Sequence, residues 1–126
     1  MSKYTILGKI EKSIFYKEFG KIITDEIIIT NERIDHIKSH HLEDYELFEK
    51  YSIKTIQNPD EIIKDMKNEG TVFFIKNLEN TNLNIVIRLV LQTDNSKLKN
   101  SVMTFYRIRQ KNLVKLEKKN KVLYKK

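Results

Sequence analysis

The 126-residue chain has no cysteine and no tryptophan, only one proline and only three glycines. Without cysteine it can hold no disulfide scaffold, thiolate zinc site, thiol nucleophile or iron–sulfur cluster. Long apolar runs are missing too, since none approaches the roughly 18 to 20 residues of a membrane-spanning helix. Residues Met1 to Lys12 lack the apolar stretch of a secretory leader, so the expected location is cytoplasmic, with delivery into another cell left open. The glycine-rich phosphate loop GxxxxGK[ST], the dinucleotide signature GxGxxG and the nucleophile elbow GxSxG are all absent. Carboxylates are scattered along the chain rather than gathered as a two-metal nuclease requires. The expectation is therefore no metal and no cofactor.

What is present suits a single domain over residues 1–126: 40% of residues are hydrophobic and 33% charged. The net charge of +7 is unevenly placed. Residues 1–96 carry 13 basic and 16 acidic side chains, whereas residues 97–126 carry 11 basic side chains and one acid, Glu117. The basic end, from Lys97 and Lys99 to Lys125 and Lys126, suits salt-sensitive binding to a phosphate backbone. A solvated, lysine-rich helix is the plainer reading of the same residues.

Periodicity and punctuation outline the elements. Residues 3–29 are rich in isoleucine and interrupted by Gly8 and Gly20, which predicts strands. Thr30 and Asn31 precede a helix over residues 31–41, and a second helix is expected over 43–56. Asn58-Pro59-Asp60-Glu61 reads as a capping box opening a short helix with Ile62, Ile63 and Met66, ended by Gly70. Strands are expected over 71–78, 83–92 and 100–108. In the last, Val102, Thr104, Tyr106 and Ile108 would share one face and Met103, Phe105 and Arg107 the other. A helix over 109–120 and a segment Val122–Tyr124 docked at the sheet edge complete the chain. Strands, helices and then an antiparallel meander make the class α+β.

All three histidines fall between positions 36 and 41. His36 and His40 are four residues apart, on one helix face at about 6 Å between Cβ atoms. Imidazoles so placed can serve as a general acid–base pair. Half of a metal site and two surface histidines are the competing readings. Arg88 is the one charge in an apolar strand, either reaching the solvated edge or awaiting an anion. Thr104 and Tyr106 supply hydroxyls suited to a phosphate, although both residues are also ordinary strand formers. Phosphodiester chemistry without a metal points to RNA, whose 2′-hydroxyl is its own nucleophile.

The order Arg33-Ile34-Asp35-His36-Ile37-Lys38-Ser39-His40, then Asn58-Pro59-Asp60, then Ser101-Val102-Met103-Thr104-Phe105-Tyr106, resembles the phage-associated Barnase–EndoU–colicin–RelE-like (BECR-fold) nuclease group. The resemblance spans about residues 27–116, leaving 117–126 as a basic C-terminal end. It implies an α+β fold with N-terminal helices on a four-stranded antiparallel sheet. It also implies a metal-independent ribonuclease, of the toxin or phage and mobile-element effector type. Carried over residue by residue, the site would hold His36, His40 and Thr104, with Arg33 and Arg88 as the nearest cations. On this basis His36, His40, Arg88 and Thr104 are the expected catalytic set, and Arg33, Tyr106, Arg107 and Lys111 the expected substrate-binding set. Whether His40 or His41 faces the site stays open. The implied partners are RNA, tRNA included, and a neutralising antitoxin or immunity protein, with no membrane. The alternative is a catalytically inactive domain of the same fold that binds nucleic acid or a protein.

Overall fold

The computed structural model describes residues 3–40, 42–94 and 98–126, so His41 and Lys97 lie outside the described residues. Eleven elements follow in order. They are β1 (Tyr4–Lys9), α1 (Lys12–Phe19), β2 (Glu26–Thr30), α2 (Asn31–His40), α3 (Leu42–Gln57), β3 (Glu61–Lys64), β4 (Thr71–Asn77), β5 (Asn82–Arg88), β6 (Asn100–Ile108), α4 (Gln110–Lys119) and β7 (Lys121–Lys125). The class is α+β as expected, but the sheet has seven strands rather than four, in the order β1-β2-β6-β5-β4-β3-β7. Every neighbouring pair is antiparallel except β2 with β6, which run parallel. Among the described residues no helix is long and apolar enough to cross a membrane.

Three segments depart from the expected pattern. Residues 3–29 are not continuous β structure, because α1 interrupts them. Ile14, Phe15 and Phe19 recur at helical spacing and meet the core, where the Phe15 ring stacks on Phe74 at 6.1 Å. Gly20, at φ +71°, ends that helix with its N–H on the carbonyl of Tyr16 at 2.8 Å.

The expected helix after Asn58-Pro59-Asp60 is also wrong, for β3 lies there. Ile62 and Ile63 are both buried but on opposite sides of the sheet, one in each apolar cluster. A strand turns successive side chains to opposite faces, whereas a helix cannot bury neighbours so. Asp60 is drawn to β4, where its N–H reaches the carbonyl of Ile75 at 2.9 Å and its carboxylate accepts from the Asn77 N–H at 2.8 Å. The C-terminal segment expected at the edge is strand β7, paired to β3.

Two cores flank the sheet. Helices α1, α2 and α3 cover one face through Phe15, Ile37, Phe48 and Ile56, against Phe74, Ile85, Ile87 and Phe105. Helix α4 covers the other, with Leu113 on Ile63, Phe73, Ile75 and Ile108. The expected alternation of β6 fails at Met103. The register against β5 pairs Val86 with Thr104 but Ile87 with Val102, so Met103 is an extra residue. That bulge puts Val102 on the same side as Phe105, under the three helices, and leaves Thr104, Tyr106 and Ile108 on the α4 side. Strand β5 ends at Arg88, sooner than the pattern suggests. Past it the Leu89 N–H turns to the carbonyl of Gly70 and the Val90 N–H to the side chain of Asn100.

Candidate active site

A fork in the sheet frames the candidate site. Strands β2 and β6 share only two residue pairs, Ile27 with Asn100 and Ile28 with Ser101. Asn100 secures the junction although it is fully buried. Its side-chain amide donates to the carbonyls of Thr24 (2.7 Å) and Glu26 (3.0 Å), and its Oδ1 accepts from the Val90 N–H (2.7 Å). Beyond Ser101 the strands part, and among the described residues no strand pairs with β6 on that side. Helix α2 starts where β2 stops, capped by the Thr30 hydroxyl on the Arg33 N–H at 3.1 Å, and runs beside the open edge. Between them lies a cleft of about 220 Å³ lined by His36, Ile37, His40, Thr104, Phe105 and Tyr106.

Both histidines are exposed, and their ring centroids are 4.2 Å apart. The Nδ1 of His40 is 3.0 Å from the carbonyl oxygen of His36 and 3.1 Å from the Ser39 hydroxyl. A carbonyl only accepts, so Nδ1 carries the hydrogen, and in the neutral ring Nε2 keeps its lone pair. Ser39 itself donates to the same carbonyl at 3.1 Å. His40 is therefore tethered in one tautomer, while among the described residues the His36 ring has no hydrogen bond. Among those residues, too, no three His, Asp or Glu side chains gather as a metal-binding set.

Two further concavities adjoin this cleft. His36 also lines one of about 550 Å³ with Thr30, Glu32, Arg33, Asp35 and Ser39. On the other side Tyr106 lines one of about 430 Å³ with Asp44, Asn80, Thr81, Arg107 and Arg109. His36 and Tyr106 thus each line two of the three concavities, and a cation stands in each outer one. Arg107 pairs with Asp44 at 2.7 Å, and Asp44 is largely buried. Arg109 is exposed and has no ion pair among the described residues.

Of the residues expected from sequence, His36, His40, Thr104 and Tyr106 meet in the central cleft, and Arg33 and Arg107 stand in its two neighbours. Arg88 does not join them. It lies beside Gly70, donates to the carbonyl of Leu89 and pairs with Asp94 at 3.2 Å, in a separate hollow with Asp65 and Asn68. The reason is its position at the far end of β5, across from Thr71 and Ser101, where Asp94 and the Leu89 carbonyl engage it. Lys111 sits exposed in the first turn of α4 and lines none of the three concavities. Ser39, Asn84 and Arg109 stand here outside the expected site set, Arg109 being expected only as part of the basic end. Asn84 is fully buried and donates to the Tyr106 hydroxyl at 3.0 Å. An asparagine among isoleucines in a central strand was its one visible sign.

One strongly shifted carboxyl lies elsewhere. Glu61 of β3 is buried opposite Glu117 of α4 and Lys125 of β7. Burial first, and then the neighbouring Glu117, push it up to about 7, while the hydrogen bond from Glu61 and the Lys125 ammonium, 3.2 Å away, hold Glu117 below the usual carboxylate range. Its neighbours place it in the packing of α4 on the sheet, away from the histidines.

Residues 5–125 match the family described as phage-Barnase-EndoU-ColicinE5/D-RelE like nuclease2, and the chain belongs to that family. No curated protein and no solved structure matches it significantly.

Proposed function

We propose, from membership of this nuclease family, that the chain is a metal-independent endoribonuclease acting by 2′-hydroxyl transesterification. The observation that carries the proposal is the His36–His40 pair set against Thr104 at the open edge of β6, with a cation in each adjoining concavity. Tethered through Nδ1, His40 offers Nε2 to take the 2′-hydroxyl proton as the 2′-oxygen attacks phosphorus. The phosphorus–5′-oxygen bond breaks, and the leaving 5′-oxygen takes a proton from the imidazolium of His36. The products are a 2′,3′-cyclic phosphate and a 5′-hydroxyl.

Attack and departure occur in line, so base and acid belong on opposite sides of phosphorus. Side-by-side rings 4.2 Å apart stand on one side. The untethered His36 is the ring that turns to the leaving oxygen once substrate enters. Arg33, sharing a concavity with His36, takes the phosphoryl charge, and the Thr104 hydroxyl holds a non-bridging oxygen. A toxin or mobile-element effector of this kind needs a neutralising partner, so co-expression with an antitoxin or immunity protein is expected to relieve toxicity in the producing cell.

The test is incubation of purified protein with labelled tRNA and rRNA in EDTA, beside the His36→Ala/His40→Ala double variant. Fragments ending in 2′,3′-cyclic phosphate, absent with the variant, are expected. Intact RNA bound tightly and with strong salt dependence would identify a non-catalytic binder instead.

A further inference from the structure

The concavity beyond Tyr106 has no part in the transesterification step, yet it shares Tyr106 with the histidine cleft. Its chemistry is specific. Asp44 engages Arg107 at 2.7 Å, which leaves Arg109 as the unpaired cation among the described residues lining it. Thr81 and Asn80, from the turn between β4 and β5, add neutral hydrogen-bonding groups. Tyr106 lines both this concavity and the histidine cleft. Its hydroxyl is engaged by the buried Asn84 amide at 3.0 Å, which fixes the ring, and the residue is 38% exposed. A pre-fixed aromatic ring beside a free guanidinium is how proteins hold single-stranded nucleic acid: the base stacks on the ring and its phosphate meets the cation.

We propose that the Tyr106–Arg109 concavity is a subsite for the nucleotide next to the scissile phosphate, and that the enzyme therefore requires single-stranded RNA. This rests on the ribonuclease reading for its cleavage part only. The Tyr106 ring carries the interaction, because its hydroxyl is already held by Asn84. A base inside a duplex is stacked on its neighbours and has no free face to offer the ring.

Two measurements separate the subsite from the chemistry. In the first, a deoxy-tetranucleotide, which lacks the 2′-hydroxyl and is not cleaved, is titrated into ¹⁵N-labelled protein. Shifts are expected at the amides of Thr81, Tyr106 and Arg109, with affinity about tenfold weaker in Arg109→Gln and in Tyr106→Leu. Shifts confined to the lysines of α4, or unchanged affinity in both variants, would overturn the subsite. In the second, a dinucleoside monophosphate and a tetraribonucleotide are compared as substrates. Arg109→Gln is expected to lower kcat/KM about tenfold for the tetranucleotide and to leave the dinucleotide unaffected, since the shorter substrate has no second phosphate. Equal loss on both would overturn the proposal by placing Arg109 in catalysis or folding. Binding as expected with neither substrate cut by the unaltered protein would sustain the subsite and sink the nuclease reading.

Discussion

His40 points its Nδ1 at the carbonyl oxygen of His36, one helical turn back and 3.0 Å away, with the Ser39 hydroxyl at 3.1 Å from the same nitrogen. This hydrogen bond converts an ordinary i, i+4 spacing into a chemical asymmetry, in which one imidazole has a fixed tautomer and the other does not. His40→Ala and His36→Ala are each expected to lower RNA cleavage by about 10²- to 10⁴-fold with affinity largely kept. Ser39→Ala should cost much less, because the carbonyl still holds the ring. Single-turnover rates on one RNA check all three, and undiminished cleavage in both histidine variants would remove the pair from the mechanism.

Arg88 is expected to stabilise rather than catalyse. Arg88→Ala loses a half-exposed ion pair to Asp94 and the packing of its stem, about 1 kcal/mol, with cleavage preserved. Gly70→Ala should be more damaging, since φ there is +83° and an added Cβ would run into the Arg88 guanidinium. Denaturant midpoints and cleavage rates on the same preparations distinguish the two effects. A large rate loss in a stably folded Arg88→Ala protein would return that residue to the site.

The fork depends on Asn100. Its replacement by Ala strands the buried Val90 N–H and the partly buried carbonyls of Thr24 and Glu26, and a loss of about 3 kcal/mol is expected. Hydrogen exchange should show β2 and the start of β6 opening together in the variant. Protection unchanged at Ile27 and Ile28 would mean that strand pairing alone holds the junction.

Glu61 introduces a pH dependence of stability. Its folded-state pKa, about 7, lies above its ordinary value of 4.5, so between those limits the folded protein binds more protons than the unfolded chain. This contribution is fully present below about pH 4.5 and falls away as pH rises through 7. Glu117 is shifted in the opposite direction, and its contribution is lost only at more acid pH. Glu61→Gln, which mimics the protonated form, should therefore raise Tm at about pH 8 relative to the unaltered protein and change it little at about pH 5. Calorimetry at both pH values decides the matter, and equal effects at the two would exclude Glu61 as the titrating group.

The lysines of α4 are expected to act on affinity alone. Replacing Lys111, Lys115 and Lys118 by Gln should flatten the dependence of log affinity on log salt by about one for each phosphate no longer neutralised, with kcat retained. Binding titrations at several salt concentrations measure it.

By itself the sequence determined what depends on neighbours along the chain. Thr30 caps α2, the 3.6-residue period of α3 selects its apolar face, and the alternation of β5 puts Ile85 and Ile87 on one side. The i, i+4 spacing brought His36 and His40 together before any fold was known, and the charge of the C-terminal residues was plain in the composition. Tertiary structure decided what depends on partners far along the chain. Residues 61–64 became a strand because β4 and β7 flank them, overriding a helix-start signal that was locally sound. Met103 became a bulge through its register against β5, which moved Val102 to the other face. The meeting of α2 with Thr104 and Tyr106 required the parallel pairing of β2 with β6 and its early end, and Arg88 was carried away from them by the same sheet. Local spacing thus sets which side chains share one element's face, whereas the site lies between elements and exists only once the sheet has ordered them.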